Sequence, residues 1–264
     1  MQRNFSDWAG NILAFIGVLV VNGMANGIPL GGQTTGEISA KYPALFTPSG
    51  FTFSIWGLIY LALTAFIVYQ ALPAQRSNER IAAISHYFKL SCLANASWIF
   101  VWHFDLLGFS LLLMLVILSA LVAVYRSLGN VDKTVPLTER MLVQWPFSLY
   151  LGWISVASIA NFSAVQLGWG FDDVLFGNVL WTQIKLALAG AISALVLLRR
   201  DDLIYVLVVG WAAFGISVKQ AATPEVSGAA LMLTVLVLLL VVAALLLKLL
   251  PEVRNYNRPF RSKV

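Results

Sequence analysis

Eight apolar runs, each about the length a bilayer crossing demands, leave this chain few folds to choose from. They fall at about 9–27, 51–72, 87–104, 107–127, 141–166, 178–198, 202–220 and 226–250. A hydrocarbon core about 30 Å thick, crossed at about 1.5 Å per residue, takes roughly 20 consecutive apolar residues. Inside lipid the backbone finds no water to bond, so such a segment satisfies its own peptide groups as an α-helix. Turn and charge signals separate the runs: Pro73 to Arg80, the cluster Gly129-Asn130-Val131-Asp132-Lys133, the pair Asp172-Asp173, and Arg199-Arg200-Asp201-Asp202. The third and fourth runs are joined by little more than His103, Phe104 and Asp105, which predicts an antiparallel helical hairpin. With 11% charged residues, against about 25% in soluble domains, the chain has too little charge for a water-soluble surface. The expected fold class is all-α, a polytopic membrane bundle of about eight transmembrane helices. The longest segment between runs, Gly27 to Gly50, is too short to fold alone.

The basic residues orient the bundle. With eight crossings, the N-terminus and the loops after even-numbered runs share a face, and that face collects 14 of the 17 lysines and arginines. Lys41 and Lys219 fall on the other face, with Lys185 inside a run, and so do the acids Glu37, Asp105, Asp172, Asp173 and Glu225. An excess of Lys and Arg marks the cytoplasmic side, so both ends of the chain are expected there, in a cell membrane of the bacterial inner-membrane kind. The first run begins after Asp7 with little basic sequence before it, and reads as a first span rather than a cleaved signal. The net charge of +5 resides in loops and tail and points to anionic lipid, not to nucleic acid. Arg254, Arg258, Arg261 and Lys263 form a tail suited to lipid headgroups.

Nine tryptophans are present, several of them away from obvious headgroup positions. Trp56 and Tyr60 are four apart and share one helix face. Asn95, Trp98 and Trp102 share a face in the third run, and Trp153, Ala157 and Asn161 share one in the fifth, with Ser158 beside them. Three helices thus carry stripes that pair aromatic rings with amides or hydroxyls. Two readings fit. The stripes wall a pocket in which indole faces sandwich a planar ligand, or they are interfacial belts and interhelical hydrogen bonds.

The order and spacing of these residues resemble the tryptophan-rich sensory protein, or translocator protein (TspO/MBR), family. In the fifth run Tyr150, Trp153, Ala157, Ser158, Asn161 and Phe162 follow its pattern Y-x-x-W-x-x-x-A/T-T/S-x-x-N-aromatic. Trp56-Gly57-Leu58-Ile59-Tyr60 resembles its W-G/T-x-L-Y, Phe46-Thr47-Pro48-Ser49-Gly50-Phe51 its W-T-P-P-x-W, and Asn95 with Trp98 its N-x-x-W. Departures are plain: Phe46 and Phe51 stand for tryptophans, Ser49 for a proline, and the proline expected before Trp56 is missing. The resemblance covers roughly 9–167 and implies a five-helix bundle over 1–167, enlarged by three further spans and a basic tail over 168–264. It also implies a cavity among the first, second, third and fifth helices, holding a porphyrin or another hydrophobic molecule, with Trp56, Tyr60, Asn95, Trp98, Trp153, Ala157 and Asn161 as pocket residues. The segment 28–50, rich in Gly and Pro, is expected to serve as its lid or to be an ordinary long loop.

Lys185 lies about two turns into the sixth run, a costly placement for a cation. It either faces the bundle, to pair with an acidic ligand group or with Asp172 or Asp173, or snorkels outward to headgroups. No metal or catalytic pattern stands out: there are only His86 and His103, a single Cys92, no HExxH and no CxxC, so no catalysis is expected. The leading functional expectation is a binding or sensory protein for a planar, tetrapyrrole-like molecule. The alternatives are a secondary transporter, for which Gly152-Trp153 and Gly210-Trp211 offer a faint repeat, and a subunit of a larger membrane complex. Small residues at Ala187, Ala189, Gly190, Ala191 and Ser193 suit close helix packing, within the chain or in a homo-oligomer.

Overall fold

The computed structural model describes residues 3–28, 30–129 and 135–249. Asn130 to Lys133 of the second turn signal, Pro29 of the expected lid, and the basic tail lie outside that range. Among the described residues every regular element is helical. The long helices are α1 (Phe5–Gly27), α3 (Ile55–Ala71), α4 (Glu79–His103), α5 (Leu107–Leu128), α7 (Trp145–Gly168), α8 (Asn178–Arg200), α9 (Leu203–Lys219) and α10 (Pro224–Leu249). Two short ones accompany them: α2 (Thr35–Lys41), between α1 and α3, and the single turn α6 (Leu137–Glu139) ahead of α7.

Among the described residues, six segments are long and apolar enough to span a membrane: Phe5–Gly27, Gly50–Ala71, Leu107–Leu128, Leu137–Gly168, Asn178–Arg200 and Pro224–Lys248. The protein is therefore a multi-pass helical bundle. The other two long helices fall short for different reasons. Helix α9 is apolar but has only 17 residues. Helix α4 is long, yet Ser85, His86, Lys89, Ser91, Asn95 and Ser97 make it too polar. It packs against α1 on one side and α5 on the other, so much of that polarity faces protein.

Helix α4 also begins eight residues earlier than the apolar run suggests. Asn78 caps it, its Oδ1 accepting from the backbone N–H of Arg80 and Ile81, and Glu79 sits in the positive first turn. At the start of α7 a π-turn, Arg140–Gln144, precedes Pro146. Proline brings no N–H to the helical ladder, which leaves a carbonyl one turn back free and favours the wider turn.

Contacts define two ends. At the basic end the Arg3 backbone N–H donates to Arg76 O (2.7 Å), Tyr125 Oη donates to Asp202 Oδ2 (2.8 Å), and Lys248 pairs with Asp201 (2.8 Å). At the other end Lys41 pairs with Asp105 (2.9 Å), and Ser49 N–H donates to Gly215 O (3.0 Å). The described chain thus starts and finishes at the basic end.

One buried apolar cluster runs from Phe15 on α1 to Val241 on α10, crossing residue 167 without a break. In lipid the hydrophobic effect does not press helices together, so close packing at small residues must. Gly152 of α7 lies against Val208 of α9, Gly210 of α9 against Val237 of α10, and Gly190 of α8 against Leu233 of α10. The Gly-Trp echo thus has a packing role at both of its glycines. The small residue Gly190 likewise serves an approach within the chain.

Candidate functional site

The site lies toward the end opposite the basic one, where α3, α4 and α7 carry aromatic faces, with α5 beside them, under a roof made by segment 34–54. Trp56 stacks on Tyr60, one turn further along α3, with ring centroids 5.4 Å apart and planes 23° apart. Trp98 stacks in the same way on Trp102 of α4, at 5.5 Å and 16°. Trp153 of α7 meets Trp56 edge-on at 6.2 Å and Phe53 at 5.8 Å. The four-residue spacing within each stripe is what lets each pair stack, since side chains at i and i+4 lie one above the other. Trp153 and Trp102 are 2% and 4% exposed, so they are not belt residues.

These rings enclose two adjoining chambers. The first, of about 60 Å³, is lined by Phe53, Trp56, Trp98, Trp102, Met114, Trp153, Ala157 and Asn161, with Thr35, Ser39 and Thr47 of the roof among others, and is mostly apolar. The second, of about 170 Å³, is lined by Asn22 and Asn26 of α1, Thr35, Gly36, Phe53, Trp56, Tyr60, Trp98 and Ile99. Thr35, Phe53, Trp56 and Trp98 form the partition, since they line both.

Asn95, Ser158 and Lys185, also singled out from the sequence, stand behind these walls. Asn95 is buried among helices, where its Oδ1 accepts from Asn22 Nδ2 (2.9 Å) and its Nδ2 donates to Tyr150 Oη (3.2 Å), tying α1, α4 and α7 together. Ser158 turns its hydroxyl back to the Ile154 carbonyl, 2.7 Å away. Asn161 lines the first chamber and is held by Ser110 of α5 at 3.2 Å. Lys185 faces the bundle, 7% exposed, and does not snorkel. Its Nζ donates to Ser163 Oγ (2.8 Å) and lies 5.5 Å from the Phe162 ring centroid and 5.9 Å from that of Trp181. Among the described residues it makes no ion pair, and it lines neither chamber.

The roof is built as carefully as the walls. Thr34 and Glu37 form a reciprocal capping box at the start of α2, the Glu37 carboxylate accepting from Thr34 N–H (2.7 Å). That T-x-x-E spacing is the sequence signal for a helix here, inside what reads at first as a loop. Trp102 Nε1 donates to the Thr35 carbonyl (3.3 Å), so an indole of the wall holds α2 from below. At the far end of α2, Asp105 accepts from Lys41 Nζ (2.9 Å) and Tyr42 Oη (3.0 Å). The Lys41 hydrogen bond leads in holding the Asp105 carboxyl below its ordinary range, and desolvation leads in raising the Tyr42 hydroxyl. His103, two residues from Asp105, instead places its Nδ1 2.7 Å from the Ile99 carbonyl.

The base of the roof is fastened to α9. Trp211 Nε1 donates to Thr52 O (3.0 Å), and Phe51 meets the Trp211 ring edge-on at 5.4 Å. Gly215 lies so close to Thr52 that a side chain there would collide with it. The phenylalanines standing for family tryptophans divide between inside and outside: Phe46 is fully buried in the core, and Phe51 is half exposed against α9. The roof and α1 residues that line the chambers, Thr35, Ser39, Thr47, Asn22 and Asn26, were not among the sequence candidates, although Asn22 with Asn26 and Thr35 with Ser39 have the four-residue spacing that puts two side chains on one helix face.

Fold and site together define a class: a multi-pass α-helical membrane protein with an aromatic cavity roofed at one end. The chain belongs to the TSPO-like protein family, whose sequence model matches residues 7–243. The match runs through α8 and α9 and most of α10, beyond the five-helix region that carries the motifs. No curated protein and no solved structure matches the chain.

Proposed function

We propose that this protein holds a planar hydrophobic molecule, tetrapyrrole-like in shape, between the indole faces of its cavity, as a binding or sensory protein of a cell membrane, the bacterial inner membrane being the setting its charge pattern suits. The observation that carries this reading is the convergence of four tryptophans and Phe53, from three helices and the roof, on one nearly apolar space. Flat apolar walls with few polar groups favour a flat apolar guest through area burial and ring stacking.

Size sets a condition. Chambers of about 60 and 170 Å³ are smaller than the roughly 300–1,000 Å³ of ordinary ligand pockets. A tetrapyrrole therefore enters only as the roof lifts and Trp56 and Trp98 part. The roof is suited to that, since few polar contacts hold α2 down, and the Lys41–Asp105 pair among them is half exposed. No chemical step is assigned to the site.

The test is a protoporphyrin titration of the full chain in nanodiscs, following tryptophan emission, with Ala157→Leu and Trp153→Phe in parallel. Ala157 lines the first chamber, and a leucine there fills the space without removing a ring. Saturable quenching in the wild type, lost in Ala157→Leu and weakened in Trp153→Phe, is the expected result. Quenching that persists unchanged in Ala157→Leu places the ligand elsewhere and ends this reading.

A further inference from the structure

Four phenylalanines from four helices meet at one level of the bundle, between the chambers and the basic end. Phe66 of α3 meets Phe147 of α7 edge-on with ring centroids 5.0 Å apart, and Phe88 of α4 at 5.3 Å. Phe88 meets Phe147 at 5.7 Å, and Phe15 of α1 meets Phe88 at 6.3 Å. None of the four is more than 2% exposed, and neither chamber reaches them.

The layers on either side are polar. One turn from each ring toward the basic end lie Asn11 of α1, Gln70 of α3, Ser85 of α4 and Gln144 just ahead of α7, all buried. Ser85 Oγ donates to Asn11 Oδ1 (3.1 Å), and Asn11 Nδ2 reaches Gln70 Oε1 (3.4 Å). One to two turns from each ring toward the roof lie Asn22, Tyr60, Asn95 and Tyr150 on the same four helices. Asn22, Asn95 and Tyr150 are joined by hydrogen bonds of 2.9 and 3.2 Å, and Asn22 also lines the second chamber. Each helix thus carries its phenylalanine between a polar residue below and a polar residue above.

Buried amides and hydroxyls offer water the partners it needs inside a protein. Two such layers facing each other across a bundle would be bridged by water into a file that carries protons. A constriction of apolar rings prevents this, because water that enters it finds no hydrogen bonds. Upper-layer residues adjoin the cavity, so the rings matter most when the roof lifts and water reaches that layer.

We propose that Phe15, Phe66, Phe88 and Phe147 form an insulating septum, which keeps the roofed cavity and the basic end as separate water compartments and preserves the membrane's barrier to protons while the roof is open. The inference goes beyond the ligand reading and does not depend on which molecule the cavity holds.

The test is proton entry into proteoliposomes that contain the full chain and an entrapped pH-sensitive dye, driven by a potassium diffusion potential. Septum variants are made in the Asp105→Asn chain, whose roof latch is weakened, so that the roof does not mask the septum. The wild type and Asp105→Asn alone are expected to be as tight as protein-free vesicles. Adding Phe66→Ala or Phe88→Ala should raise proton entry about tenfold or more. Adding Ile117→Ala, which removes bulk from a fully buried position of α5 outside the ring cluster, should leave the vesicles tight. That control separates an opened path from a loosened fold. Where an alanine variant does not fold, Phe66→Leu or Phe88→Leu takes its place, with a rise of about threefold expected from the lost ring. Proton entry through Asp105→Asn alone, ring variants that fold and stay tight, or an Ile117→Ala leak equal to theirs overturns the proposal.

Discussion

The two ends of the α1–α3–α4 region treat buried polarity in opposite ways. At the basic end, polar side chains largely satisfy one another, although Arg3 Nε has no partner among the described residues. Arg3 Nη1 donates to the Gln70 carbonyl (2.8 Å) and Nη2 to Gln70 Oε1 (2.5 Å), while Gln70 Nε2 donates to Trp8 O (3.0 Å). Ser85 Oγ donates to Asn11 Oδ1 (3.1 Å), and Asn11 Nδ2 reaches Gln70 Oε1 (3.4 Å). At the roofed end, the hydroxyls of Tyr60 and Thr35 and the indole N–H groups of Trp98 and Trp153 are buried without partners among the described residues. The first arrangement locks three helices together. The second leaves bonding capacity over, which does nothing for stability.

Removing a paired group should therefore hurt folding, and removing an unpaired one should not. The largest effect is expected from Gln70→Leu, which strips Arg3 and Asn11 of an acceptor and Trp8 O of a donor. Hydrogen bonds to charged groups contribute about 1.5–3 kcal/mol, so unfolding in detergent should be easier by about that amount, with ligand affinity intact. An unchanged midpoint would show that the basic end is solvated rather than interlocked.

Next comes Trp56→Ala, which removes a ring from the partition of the two chambers. Porphyrin affinity should fall about tenfold or more, because ring pairing and area burial are both lost. A titration matching the wild type would move the ligand away from α3.

A smaller effect is expected at the roof latch. Asp105→Asn weakens a half-exposed ion pair worth about 0.2–1 kcal/mol, so ligand should associate up to about fivefold faster with little change in unfolding. Protonation should act in the same direction. Because the Asp105 carboxyl is held below its free value, near 3.9, the latch is intact above that value and is lost as pH falls through the lowered one. Stopped-flow quenching at pH 7 and at the lowest tolerated pH checks this; slower association in acid would contradict it. The smallest effect, a change in unfolding within about 0.5 kcal/mol, is expected for Tyr60→Phe, since it deletes a hydroxyl that has no protein partner to lose. A loss near that of Gln70→Leu would erase the contrast between the ends.

Much of the cavity was legible because helical periodicity is a local property. The i, i+4 spacing of Trp56 with Tyr60, and of Trp98 with Trp102, needs only a helix to put both rings on one face, and those pairs stack. Residues whose role depends on a neighbouring helix were not legible in this way. Asn95 and Asn161 share the same amide chemistry and the same kind of stripe, yet Asn161 lines the first chamber and Asn95 ties three helices together. Which one reaches a cavity depends on how far α1 stands from α4 and α5 from α7, and periodicity carries no such distance. Lys185 was ambiguous for the same reason, as only the packing of α8 on α7 brings Ser163 within reach.

The sequence alone determined that this chain spans a membrane several times and which end collects positive charge. Run length against bilayer thickness and the distribution of Lys and Arg are sums along the chain, indifferent to packing. It also determined which residues share a helical face. Tertiary structure decided the rest. It turned the segment after α1 into a roof, fastened that roof to α9 through Trp211 and Gly215, and tied Arg3, Asn11, Gln70 and Ser85 into one network across three helices. Those outcomes depend on distances between residues far apart in sequence, which are fixed only once helices choose their neighbours.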